Sequence, residues 1–170
     1  MTERKPLDVL PEDLPGATLT DKLTGNVWDL KKLVTKHKEV LIGRVGYDNH
    51  IGLGYDVMGG KTAAIDPDLV KAGALAKRVT RDSHAIITYE QGPDGLRYHI
   101  KDKSTRGTFI RDPSGMNEQT ALRMERRALF NGEEIWFGGP PGERDEEKVK
   151  IGYGPVVFTN MEANSKPRTE

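Results

Sequence analysis

Short β-rich runs cut apart by glycine and proline are the feature that most narrows what this chain can become. Residues 39–44 (EVLIGR) form an apolar run closed by glycine and arginine. Residues 84–89 (HAIITY) are rich in β-formers and lead into Gln91-Gly92-Pro93-Asp94-Gly95, a strong turn signal. Residues 96–101 (LRYHIK) then alternate apolar and polar at period two, so the two runs read as a hairpin. Residues 108–110, 134–138 and 155–159 are three further short strands. Such a series predicts an all-β sandwich or barrel. Two stretches break it. Residues 66–77 open with Asp66-Pro67, and Leu69, Val70, Ala72 and Leu75 can share one face, which predicts a short helix. Residues 118–129 read as a helical turn or an irregular loop.

The chain has 170 residues, enough for one domain with a hydrophobic core of its own. Residues 1–15 hold three prolines and no periodicity, and read as a flexible lead-in. The globular part is expected from about Gly16 to Thr159, with 160–170 a flexible tail or linker. There is no cysteine, hence no disulfide framework, thiolate zinc site or cysteine nucleophile. No apolar run reaches the roughly 18 residues of a membrane span, and the first residues lack a signal-peptide core. An intracellular protein, nuclear or cytoplasmic, with no membrane partner is expected. The 26 basic and 26 acidic side chains balance, which argues against a general nucleic-acid surface. That balance hides a local bias: between Lys77 and Arg106, seven basic residues face four acidic ones.

Several familiar chemistries are absent. Gly59-Gly60-Lys61-Thr62 lacks the upstream glycine of a phosphate-binding loop, where Tyr55 stands instead. Gly52-Leu53-Gly54 lacks the third glycine of a dinucleotide fingerprint, and the four histidines show no metal-ligand spacing. Asp82-Ser83-His84 holds the residue types of a triad, but as sequence neighbours and without a nucleophile elbow. A non-catalytic chain without cofactor or metal is expected.

Four segments remain. Ile42-Gly43-Arg44 ends a strand, and Val79-Thr80-Arg81-Asp82-Ser83-His84 leads into the next. Asp102 to Ile110 (DKSTRGTFI) contains Ser104, Thr105, Arg106, Gly107 and Thr108, and Leu129 to Gly138 reads LFNGEEIWFG. An arginine fork at a strand end suits a tetrahedral anion. A second arginine and several hydroxyls, gathered by loops at one end of a sandwich, suit a phosphate dianion better than a carboxylate. Taken singly, each of these residues is an ordinary solvated side chain or turn glycine.

In order and spacing the four segments resemble the forkhead-associated (FHA) domain, over nearly the whole of residues 17–159. That family carries Gly-Arg, then a Ser-Arg-x-x-His-like segment, then Asp-x-Ser-x-Asn-Gly-Thr, then Leu-x-x-Gly-Asp-x-Ile-x-x-Gly. The resemblance implies an eleven-stranded β-sandwich that binds phosphothreonine in a partner protein or peptide without catalysis. It implies a setting in intracellular signalling of the DNA-damage, cell-cycle or RNA-processing kind, in some cases within a larger kinase or ubiquitin ligase. Some members pair as homodimers through a sandwich face.

Carried over, the resemblance makes Arg44 and Arg81 phosphate contacts and Thr80 the stand-in for the family's phosphate-binding serine. Ser104, Thr105 and Arg106 lie in the third segment, with Thr105 near the phosphothreonine. Gly43, His84, Gly107 and Thr108 are architectural. The sequence departs from the family pattern at three places. Arg81 stands three residues before His84, where the serine is usual, so Thr80 is the favoured hydroxyl and Ser83 its rival. Arg106 replaces an asparagine, removing an acceptor and adding a cation. That change weakens peptide binding, adds a phosphate contact or selects acidic residues beyond the phosphothreonine. Arg44 and Thr80 lie 36 positions apart, so residues 46–76 read as an inserted loop carrying the short helix, either extending the groove or merely decorating the surface. A phosphate-independent interaction domain is the alternative function.

Overall fold

A computed structural model describes residues 14–54, 75–92, 95–112, 119–141 and 151–160. Eleven strands form a β-sandwich of two sheets. In chain order they are β1 (Ala17–Asp21), β2 (Val27–Asp29), β3 (Val40–Arg44), β4 (Ile51–Leu53), β5 (Ala85–Gly92), β6 (Gly95–Asp102), β7 (Thr108–Arg111), β8 (Gln119–Leu122), β9 (Arg126–Ala128), β10 (Glu134–Phe137) and β11 (Tyr153–Asn160). One helix, α1 (Leu30–His37), lies between β2 and β3. The six-stranded sheet runs β2-β1-β11-β10-β7-β8 and the five-stranded sheet β4-β3-β5-β6-β9. Among the described residues no helix is long and apolar enough to cross a membrane.

The core follows from side-chain alternation. A strand turns successive side chains to opposite faces, so one face per sheet is apolar. Leu19, Ile135 and Phe158 of one sheet, and Ile42, Ile87 and Ile100 of the other, belong to one buried cluster. The Tyr98 ring meets that of Phe158 edge to face across the two layers, with centroids 5.8 Å apart. The expected hairpin is present: β5 and β6 pair antiparallel from Ala85↔Asp102 to Gly92↔Gly95. Beside them β3 runs antiparallel to β5 and parallel to β4.

Four expectations need correction. Residues 51–53, read as part of an insertion, are β4 and belong to the sheet; residues 55–74, with most of the expected helix at 66–77, lie outside the described residues. Residues 118–129, read as helix or loop, supply β8 and β9, whose three or four residues are too few to display a period. Leu14 is buried in the core and the Pro15 carbonyl accepts from the Tyr98 hydroxyl at 2.8 Å, so these two residues belong to the folded part. Asn160 closes β11, its N–H donating to Asn131 Oδ1 at 2.8 Å, which moves the tail boundary by one residue. Helix α1 was not foreseen. Asp29 caps it by accepting from Lys32 N–H at 3.1 Å, and Leu30 and Val34, four apart, bury one narrow face.

Two buried carboxyls hold turns. Glu133, in the fourth motif, accepts from Phe130 N–H at 2.8 Å and pairs with Arg127 at 2.7 Å. Asp21 at the end of β1 is fully buried. It accepts from the N–H groups of Leu23 and Thr24 and from the Tyr153 hydroxyl on β11, while Tyr153 also accepts from Gly54 N–H. Burial pushes the Asp21 carboxyl above its ordinary range, and burial beside Asp21 pushes the Tyr153 phenol up as well. Tyr153→Phe keeps the ring but orphans one side of a buried carboxyl. Urea denaturation should show a loss of about 1–3 kcal/mol, the cost of an unsatisfied buried polar group.

Candidate functional site

The site begins with a close approach of backbone. A Cβ on Gly43 would lie 2.4 Å from the Arg81 carbonyl oxygen and 2.5 Å from that of Asp82. Only glycine lets the β4–β5 connection cross the end of β3 at this distance. The Arg44 N–H is shared between the carbonyls of Thr80 (3.1 Å) and Arg81 (2.9 Å), which straps the crossing down. The Arg44 guanidinium is then aimed by two carbonyls: Nε donates to Val79 O and Nη2 to Lys77 O, each at 3.2 Å. Of its five N–H donors, three remain for a ligand.

His84 ties this loop to the next. It is fully buried and its ring bridges two backbones. Nδ1 accepts from Thr80 N–H at 3.0 Å, so Nε2 carries the proton and donates to Gly107 O at 2.9 Å. Burial lowers its proton affinity, and the nearby Arg106 charge adds to this; the Gly107 carbonyl and Asp102 oppose it without reversing it. Gly107 stands at φ +95°, in the left-handed region that the turn between β6 and β7 requires.

Asp102, also fully buried, organises that turn. Its Oδ1 accepts from Ser104 N–H (3.2 Å), Ser104 Oγ (2.7 Å) and Thr108 Oγ1 (2.8 Å), and its Oδ2 from Met124 N–H (2.8 Å).

Of the sequence-derived site residues, Arg44, Thr80, Arg81, Thr105 and Arg106 sit on these braced loops at one end of the sandwich, all exposed except the half-buried Arg44. Arg44 Nη2 and Arg106 Nη1 converge on the same Lys77 carbonyl, at 3.2 and 3.5 Å. Two candidates face inward instead, which corrects the expectation for them. Ser104 is buried, its hydroxyl donating to Asp102 and accepting from Gly107 N–H at 2.7 Å. Ser83 Oγ is buried with no hydrogen-bond partner among the described residues, so of the two rival hydroxyls Thr80 is the one open to solvent. Gly43, His84, Gly107 and Thr108 occupy internal, bracing positions.

Sequence reasoning missed the turn between β3 and β4. Tyr47 is an exposed aromatic whose ring has Arg44 Cζ at 5.7 Å and Arg81 Cζ at 5.6 Å. Its electron-rich faces hold two like charges that would otherwise repel. Asn49 Nδ2 donates to the carbonyls of both Arg44 (2.9 Å) and Arg81 (3.1 Å). The only sequence signal was the turn-forming run Gly46-Tyr47-Asp48-Asn49, which reads equally as loop.

Among the described residues no carboxylate pairs with Arg44, Arg81 or Arg106, and no group of three or more potential metal ligands occurs. The arrangement offers oriented guanidinium donors and exposed hydroxyls in an excess of positive charge. Such groups suit a tetrahedral anion. Neither a protein-family model nor a curated protein matches the chain.

Two outcomes test this construction. Gly43→Ala should lower stability by about 1–3 kcal/mol, the usual cost of overpacking, read by urea unfolding. A buried neutral histidine stabilises fully above its unfolded pKa, 6.5, and less as pH falls through that value toward the lowered folded one. Unfolding free energy should therefore fall below pH 6.5, and His84→Gln should flatten the acid limb by up to about 1.4 kcal/mol per pH unit, the weight of one proton.

Proposed function

We propose that the chain is a phosphothreonine-binding interaction module of the forkhead-associated type, acting in intracellular signalling. The observation that carries this reading is Arg44: anchored by two carbonyls, free of any carboxylate among the described residues, and set beside Arg81 and the exposed Thr80. A phosphate dianion accepts several charge-assisted hydrogen bonds at once and meets two guanidinium groups favourably. Thr105 and Arg106 flank the same place from the second loop. The eleven-stranded, two-sheet architecture is the one the four-motif resemblance implies. In this reading the role is recognition rather than turnover, and the partner is a protein carrying phosphothreonine.

A degenerate phosphothreonine peptide pool and its unphosphorylated twin, titrated by fluorescence anisotropy, test the reading. The wild type should bind only the phosphorylated pool. Arg44→Ala should weaken that binding at least about thirtyfold, since truncating one partner of a buried charge pair costs 2–5 kcal/mol. Equal binding of both pools, or indifference to the Arg44 change, would instead establish a phosphate-independent interaction domain. Turnover in a broad hydrolase and phosphatase screen would overturn the non-catalytic reading.

A further inference from the structure

Three arginines carry a carboxylate partner among the described residues: Arg111 with Glu134, Arg126 with Glu90, and Arg127 with Glu133. Arg44, Arg78, Arg81, Arg106 and Arg123 carry none, and all five sit in or at the ends of the loops around the site. In a chain of zero net charge, five arginines without a carboxylate partner among the described residues concentrate positive potential around those loops.

Arg123 extends that set beyond the phosphate position. It lies in the bend between β8 and β9, exposed, with Cζ 5.8 Å from the centre of the Phe109 ring. Its Nε comes within 3.3 Å of where a Cβ on Gly107 would stand. Arg106 precedes Gly107 in the chain and Arg123 approaches Gly107 from the β8–β9 bend, and Asp102 joins the two segments. That one carboxylate accepts from Ser104 and Thr108 around the Arg106 turn and from Met124 N–H in the Arg123 bend. A further bond, Asp102 N–H to Glu125 O at 2.9 Å, ties the same two segments. With those acceptances Asp102 is a bracing group, and among the described residues it forms no ion pair with Arg106 or Arg123. Asp82, the carboxylate nearest Arg81 in sequence, accepts instead from Asp48 N–H at 3.1 Å.

We propose that Arg123, with Arg106, forms a second anionic subsite across Gly107, which takes a further phosphorylated or acidic residue of the same partner segment. The inference rests on the phosphothreonine reading above and narrows it to multiply charged ligands. It also gives Arg106 a use: where an asparagine would receive ligand backbone, an arginine receives charge.

The test uses one phosphothreonine peptide sequence, with a second phosphothreonine, aspartate or alanine scanned over the four positions on either side. Anisotropy titrations compare the wild type with Arg123→Gln, Arg106→Gln and Arg44→Ala, each checked for an unchanged thermal midpoint. A second phosphate at one spacing should tighten wild-type binding at least about tenfold, equivalent to about 1.4 kcal/mol. In Arg123→Gln that gain should fall below about threefold, less than 0.7 kcal/mol, while affinity for the singly phosphorylated peptide stays within about twofold. The same gain at every spacing would mean diffuse attraction and would overturn the subsite. So would no gain at any spacing, or a full gain in Arg123→Gln. In each of these cases, phosphate-dependent binding lost in Arg44→Ala would leave the first reading standing; its absence would remove both.

Discussion

The ring of His84 is the joint on which the functional end of the molecule depends. Two backbone groups, Thr80 N–H and Gly107 O, belong to different loops, 4 residues before His84 and 23 after it, and each would be costly to bury alone. A neutral imidazole satisfies both because it is a donor at one nitrogen and an acceptor at the other. Neither a protonated ring nor an apolar side chain of similar size does this. With the loops joined, Arg44 finds its carbonyl partners on one, while Thr105 and Arg106 stand exposed on the other. The edge of the ring also meets Phe137, with centroids 5.3 Å apart, so the joint is seated directly on the core.

What was legible in the sequence was whatever repeats or punctuates. β3, β5, β6, β7, β10 and β11 alternate over enough residues, or end in a strong enough turn signal, to be read. β2, β4, β8 and β9 are too short for a period, and all four close a sheet at its edge, where partial exposure blurs the apolar pattern. Helix α1 has eight residues and buries only Leu30 and Val34, while its lysines dominate the composition of that stretch.

The site divides the same way. The arginines and glycines were visible because their type and order are the signal. Whether Ser83, Ser104 or Thr80 turns its hydroxyl outward was not, because burial of a hydroxyl is decided by loops that come from elsewhere in the chain. Ser104 and Thr105 are neighbours of similar chemistry, yet one is locked to Asp102 and the other faces solvent. Tyr47 was hidden for a related reason: an aromatic in a polar turn reveals nothing until two guanidinium groups are placed beside it.

The turn between β6 and β7 is where the chain leaves the five-stranded sheet and enters the six-stranded one. Arg44 belongs to the first sheet, while Thr105 and Arg106 occupy the crossing itself. An anion held between them, as the proposed function requires, would therefore work as a cross-tie, resisting any sliding of one layer over the other. The mouth of the site keeps its shape only as long as the two layers keep their registration, so small core substitutions far from any ligand would be felt there as a change in grip.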